Sequence, residues 1–231
     1  MKRKNDPFSV GIIMLNTHFP RILGDIGNPL SFDFDIIYER VISARVSAIV
    51  TEKGVSHAIK KDIFDGIKRL EKKGVDLIVT TCGFLGEIQD ELKLHTNTPM
   101  ITSALLTIPF ARTFLNNSTD KIGVLTFDAN KLNEKHFGGH YANDIVIGDI
   151  SKNGFLYKTI KEDLANLNIE KAEEEVVSAA LKLIAKNNHI KVIILECTNL
   201  SPYINTIKSS TNLPVFDLIQ AINWFKQTKT V

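Results

Sequence analysis

The sequence predicts an α/β fold in which mainly parallel sheets flanked by helices are divided between two similar halves. Three observations carry this. Short apolar runs rich in β-branched residues recur along the chain, separated by amphipathic stretches of helical period. The runs are continuously apolar rather than alternating, as strands covered on both sheet faces are. The order helix, apolar strand, cysteine, helix occurs around residues 57–95 and again around 170–210.

The strands are expected at Val10–Leu15, Asp35–Val41, Asp76–Thr81, Met100–Ala104, Lys121–Thr126, Ile145–Asp149, Lys191–Glu196 and Val215–Leu218. The first is followed by "FPRILGDIGNPLSF", whose glycines and prolines mark a turn-rich loop. The stretch Phe32–Val50 begins with strict alternation, the mark of a strand, and its tail also fits a helix. In "SHAIKKDIFDGIKRLEKKG", Ile59, Ile63, Ile67 and Leu70 form one helical face and Gly74 is a stop signal. "IEKAEEEVVSAALKLIAKNN" repeats the pattern with Ala172, Val176, Ala179, Ala180, Leu183 and Ile184. Shorter helices are expected in "FLGEIQDELKLH" and "SPYINTIKSS", each following a strand that ends in a cysteine.

The composition narrows the function classes. The chain has 231 residues, 44% hydrophobic and 23% charged, with a net charge of +2. A balance of 28 basic against 26 acidic residues is no footprint for nucleic acid or an anionic membrane, and the basic start "MKRKN" is too short for a polybasic arm. No apolar run has the length of a membrane span, and no signal-peptide core follows the first residues. A cytoplasmic protein is therefore expected, with its two cysteines as free thiols rather than a long-range disulfide. No phosphate-binding or dinucleotide glycine pattern is present.

The chemistry gathers at the strand ends, where ligands of open α/β sheets bind. The first strand runs into Asn16-Thr17-His18, the third into Thr81-Cys82-Gly83, the fifth ends at Thr126, and the seventh runs into Glu196-Cys197-Thr198-Asn199. Small hydroxyl and amide side chains there suit a small carboxylate held by hydroxyls and helix-start amides. A thiol at a helix start is expected to have a lowered pKa. Two thiols on opposite sides of a carbon serve as base and acid, and need no cofactor. Against this stands the tendency of a free cysteine to act as a small buried hydrophobe.

At these residues the sequence resembles the aspartate/glutamate racemase superfamily, which also includes hydantoin racemases, maleate isomerases and arylmalonate decarboxylases. The resemblance rests on "VGIIMLNT", "TTCGFL", "IGVLTFD" and "LECTNLSPY", and covers most of the chain. It implies two α/β domains in pseudo-twofold relation with the active site in the cleft between them. Residues 1–103 with 208–231 would form the first, carrying Cys82, and residues 104–207 the second, carrying Cys197. It implies Cys82 and Cys197 as catalytic acid/base residues. Asn16, Thr17, Gly83, Phe84, Thr126 and Thr198 would be substrate contacts, with Thr126 and Thr198 holding the carboxylate. No cofactor is implied. Family members are often dimers, which makes a homodimer the assembly to test. Four positions depart from the family's pattern. Gly83-Phe84 stands for Asn-Thr, Asn16 for an acid, and Glu196 for a glycine.

The expected activity is racemisation of an acidic amino acid, aspartate or glutamate first. A hydantoin racemase or maleate isomerase, and a non-catalytic small-molecule binder on this scaffold, are the alternatives. Arg21 is a further candidate, since its guanidinium suits a carboxylate, and Asp25 shares its loop, a candidate lid. His18 reads as a solvated loop residue. His136 and His140 have a metal-like spacing, but Gly138-Gly139 between them disfavours a helix, and no metal is expected. "KAEEEVV" reads as a solvated helix face and Trp224 as a packing anchor.

Overall fold

The computed structural model describes residues 8–229, so "MKRKN" lies outside the described residues. Eight strands form two four-stranded parallel sheets. The first holds β1 (Ser9–Leu15), β2 (Asp35–Val41), β3 (Leu77–Thr80) and β4 (Met100–Ile101) in the order β2-β1-β3-β4. The second holds β5 (Lys121–Thr126), β6 (Ile145–Asp149), β7 (Ile190–Leu195) and β8 (Val215–Phe216) in the order β6-β5-β7-β8. The two orders are the same, so the echo in the sequence is a repeat in the topology. All pairings are parallel.

The helices are α1 (Val46–Ile49), α2 (His57–Lys72), α3 (Gln89–Lys93), α4 (Ile108–Ala111), α5 (Phe155–Glu162), α6 (Ile169–Lys186), α7 (Ile204–Thr211) and α8 (Leu218–Lys229). The ambiguous tail of the Phe32–Val50 stretch becomes β2 followed by the single turn of α1. Ser56 caps α2 by accepting from the Ile59 amide, and the chain leaves through Gly74 at φ +74°, which an L side chain rarely adopts. Ile59, Ile63, Ile67 and Leu70 of α2 are all buried, as their spacing requires.

The second sheet divides its side chains by period two. Ile122, Val124, Val192 and Ile194 join the core of the first half, whereas Leu125, Ile193 and Leu195 pack with α5, α6 and α7 residues. One of the two cores therefore runs across both halves.

The last strand departs from the expected division. Val215 pairs with Ile193, so β8 closes the second sheet rather than returning to the first. Its short apolar run completes the β6-β5-β7 set just as β4 completes the first sheet. Only the following helix turns back: Phe225 of α8 meets Phe8, and Lys226 and Lys229 reach Asp33 and Asp76. Trp224, expected as a packing anchor, lies near the surface. It is 58% exposed and leans on the Phe110 ring, because α8 shows that face to the surface. Among the described residues no helix is long and apolar enough to cross a membrane.

Candidate active site

In both halves the central strand lies between the next strand on one side and the cysteine-tipped strand on the other. Such a reversal of order opens a crevice at the carboxyl ends. Cys82 follows β3 and opens a 3-10 helix over Gly83–Ile88; Cys197 follows β7 and opens another over Thr198–Tyr203. Threonines set these strand ends. Thr80 Oγ1 donates to the Thr102 carbonyl at 2.6 Å, and the Leu15 amide donates to Thr81 Oγ1 at 3.1 Å. Thr198 Oγ1 then donates across the cleft to the Thr81 carbonyl at 2.9 Å. This one bond joins the neighbours of the two cysteines and brings both thiols to a common cavity.

That cavity is lined by Cys82, Cys197, Gly83, Phe84, Glu196, Asn199, Thr17 and Arg21, with an apolar wall of Phe19, Phe127, Val46, Val50 and Ile160. Its volume is about 30 Å³, room for one or two waters. Both cysteines are free thiols. Cys197 is buried, while Cys82 keeps partial access to the cavity.

The expected lowering of the thiol pKa is reversed. Burial pushes Cys82 up, and the neighbouring Glu196 charge adds to it; the Phe84 amide opposes both and loses. Cys197 is pushed up by the same two causes against the Asn199 amide. One amide at a short 3-10 helix does not offset loss of water. The resting site thus holds two thiols rather than a thiolate.

Glu196 organises the centre. Its carboxyl is 1% exposed and accepts the Thr126 hydroxyl at 2.5 Å, with the Phe84 and Phe127 amides also directed at it. Burial pushes its pKa up to about 7. Gly83 is needed beside it, because a Cβ there would collide with the Glu196 carboxylate and backbone carbonyl. Two of the departures from the family's pattern, glycine at 83 and glutamate at 196, are therefore one packing arrangement.

Several of the residues expected as substrate contacts are bonded within the protein. The Thr126 hydroxyl is bound to Glu196 and that of Thr198 to Thr81, so neither is free to hold a carboxylate. The Phe84 amide is engaged by Glu196 and Cys82. Asn16 is absent from the thiol cavity; its Nδ2 donates to the Ile42 carbonyl and it lines a separate surface depression with His18 and Arg45. Thr17 does line the cavity, and its Oγ1 accepts from Arg21 Nη2 at 2.9 Å. Gly83 and Arg21 line it too. His18 is a surface residue whose Nδ1 lies 3.0 Å from Asp163.

Asn199 was not singled out as a site residue, and it joins Asp25, the loop companion of Arg21. Asn199 Oδ1 lies 3.5 Å from Cys197 Sγ, and its Nδ2 donates to Asp25 Oδ2 at 2.7 Å. Asp25, 3% exposed, is held by Arg21 Nη1 at 3.2 Å. A buried chain thus runs from Cys197 through Asn199 and Asp25 to Arg21 and Thr17. The spacing of Arg21 and Asp25 was the only sequence signal; Asn199 had none beyond its place after Cys197. His136 is buried with its Nδ1 accepting from the Asn133 amide, and among the described residues no three His, Cys, Asp or Glu side chains form a metal-binding group.

The Asp/Glu/Hydantoin racemase family matches over residues 34–225, which include both cysteines and most of the two sheets. The chain belongs to the Asp/Glu/Hydantoin racemase family. Among its relatives in sequence is a dimethylsulfoniopropionate lyase of Durusdinium sp. clade D, 28% identical over 94% of this chain and 73% of that protein. Dimethylsulfoniopropionate lyase 7 of Emiliania huxleyi (strain CCMP1516) is 30% identical over 94% of this chain and 66% of that protein. In fold, the racemase-family chain superposes on glutamate racemase isoform RacE1 of Bacillus anthracis with a TM-score of 0.59, at 15% identity over 97% of this chain and 84% of that one.

Proposed function

We propose that this protein is a cofactor-independent lyase that removes a sulfide from a small 3-sulfonio carboxylate, with dimethylsulfoniopropionate as the substrate. The observation that carries the reading is that relatives aligned over 94% of the chain are dimethylsulfoniopropionate lyases, while the cleft keeps two thiols in an apolar, aromatic pocket.

The chemistry follows from the groups present. A cysteine thiolate takes the proton from the carbon next to the carboxylate. The C–H electron pair forms the carbon–carbon double bond, and the bond from the β-carbon to sulfur breaks toward sulfur. Neutral dimethyl sulfide and acrylate leave, with one proton released overall. Arg21, which faces the cavity, is the group for the substrate carboxylate and for the negative charge that grows on it. Phe19, Phe127, Val46, Val50 and Ile160 suit S-methyl groups, which ask for no hydrogen bonds.

Substrate charge also resolves the raised thiols. A cation about 4 Å from a thiolate stabilises it by about 4 kcal/mol at an effective dielectric of about 20. That is worth about three pH units, so a sulfonium ligand offsets much of the cost of the thiolate that the empty site disfavours. The cavity holds only one or two waters, so its walls part to admit substrate.

The test is to incubate purified protein with dimethylsulfoniopropionate and measure dimethyl sulfide by gas chromatography and acrylate by NMR. Release above the uncatalysed rate is expected, and one of Cys82→Ser and Cys197→Ser, the one that removes the base, is expected to lower kcat/KM by about 10²-fold or more. No release by the wild type refutes the lyase reading. A second reading, racemisation of aspartate or glutamate, is favoured by the presence of two thiols at one cavity where an elimination needs a single base. It requires optical inversion with deuterium uptake at Cα in deuterated water, and is refuted by the absence of both.

A further inference from the structure

We propose that Glu196 is the specificity-determining residue of the cleft: its buried carboxyl forms a subsite for the positive head of a zwitterionic onium carboxylate, with Arg21 at the opposite, carboxylate-binding pole. The inference rests on the lyase reading for the substrate class and adds how that class is told from neutral and anionic competitors.

Glu196 lines the same cavity as both thiols and is 1% exposed. Among the described residues no basic side chain acts on it; burial, the Thr126 hydroxyl and the Phe127 and Phe84 amides account for its state. A carboxyl taken out of water without a cation is held at a cost. A cationic ligand placed beside it recovers that cost, whereas a neutral ligand of the same shape does not. The group is also fixed in place. Thr126 grips one oxygen at 2.5 Å, and the other lies against Gly83, in the space that a side chain there would fill.

The rest of the wall fits a soft cation. Phe127 faces the cavity and is stacked on Tyr157 at 4.5 Å, which holds its ring rigid. Aromatic faces and apolar side chains accept methylated onium groups, which hydrogen-bonding ammonium sites do not favour. At the other pole Arg21 is held by Thr17 and Asp25 and lies 4.1 Å from the Phe19 ring centroid. The charged and titratable groups facing the cavity are thus Glu196, Cys82, Cys197 and Arg21, with Asp25 behind Arg21. Only Glu196 offers a negative charge not already paired with a guanidinium.

Two unreactive probes of the same shape isolate the charge: 3-(trimethylammonio)propanoate and its neutral-headed carbon isostere, 4,4-dimethylpentanoate. Their affinities for the wild type and for Glu196→Gln are measured by calorimetry, with circular dichroism confirming that the variant is folded. The wild type is expected to prefer the onium probe by at least about tenfold, and Glu196→Gln to lose that preference while still binding the neutral probe. Equal binding of both probes by the wild type, binding of neither, or an undiminished preference in Glu196→Gln overturns the proposal. Because no turnover is read, the outcome separates from the lyase test. A protein that prefers the onium probe yet releases no sulfide keeps this inference and loses the other.

Discussion

Replacing Glu196 by Gln is expected to remove a pH-dependent loss of stability. The carboxyl has an ordinary pKa of 4.5 and is pushed up to about 7 by burial. A carboxyl raised in the fold binds its proton more tightly when folded than when unfolded. Its contribution is therefore fully present below the unfolded pKa and is lost as pH rises through the folded one. At 1.36 kcal/mol per pH unit, the loss between those two pKa values is about 3 kcal/mol. Gln keeps the size of the side chain and an oxygen for the Thr126 hydroxyl, but has no proton to lose. The assay is urea unfolding of both proteins from about pH 4 to about pH 8, with stability taken from linear extrapolation. The quantity to follow is the variant minus the wild type at each pH. In that difference the other shifted groups, such as Asp217 and Glu71, cancel. It is expected to move in favour of Gln by about 3 kcal/mol across the window, whatever constant offset the new amide N–H₂ adds. Parallel curves for the two proteins would refute the reasoning, since they would mean that Glu196 titrates in the fold as it does in water.

Two further outcomes follow from the same geometry. Burial and the Glu196 charge raise both thiols, so iodoacetamide labelling of Cys82 and Cys197, followed by mass spectrometry, is expected to be slow at neutral pH and to accelerate only above the usual thiol range; fast labelling below about pH 8 would contradict this. Gly83→Ala places a methyl against the Glu196 carboxylate and carbonyl, and is expected to cost about 1–3 kcal/mol in urea unfolding; a variant as stable as the wild type would show that the two strand ends are not locked together.

How much of the site was legible depends on the range of the interaction that sets each residue. Cys82 and Cys197 were legible because a β-branched apolar run followed by a polar residue and a helix is a local signal, and it occurs twice. The buried faces of α2 and α6 were legible for the same reason. Thr126 and Thr198 stood at the expected strand ends, but what a hydroxyl binds depends on which acceptor the fold brings within reach. One met Glu196 from β7 and the other a carbonyl at the end of β3. Asn16 was placed at the right strand end and faces another depression, since a rotation of one residue at the end of β1 decides the side. Asp25 and Asn199, 174 positions apart in sequence, form one hydrogen bond that no spacing rule encodes.

By itself the sequence determined the elements and the family. Apolar period, turn residues and the repeated strand–cysteine–helix pattern are properties of neighbours along the chain, and they specify two parallel α/β halves with a thiol at each crevice. Only the tertiary structure decided the electrostatics of the site and the strand that closes the second sheet. Pairing of β8 with β7 is a contest between distant partners. Ionisation is set by how much water a group loses and which charges remain beside it. The same cysteine at the same helix start is acidic in a wet cleft and weakly acidic here, where Glu196 fills the space that Gly83 leaves open.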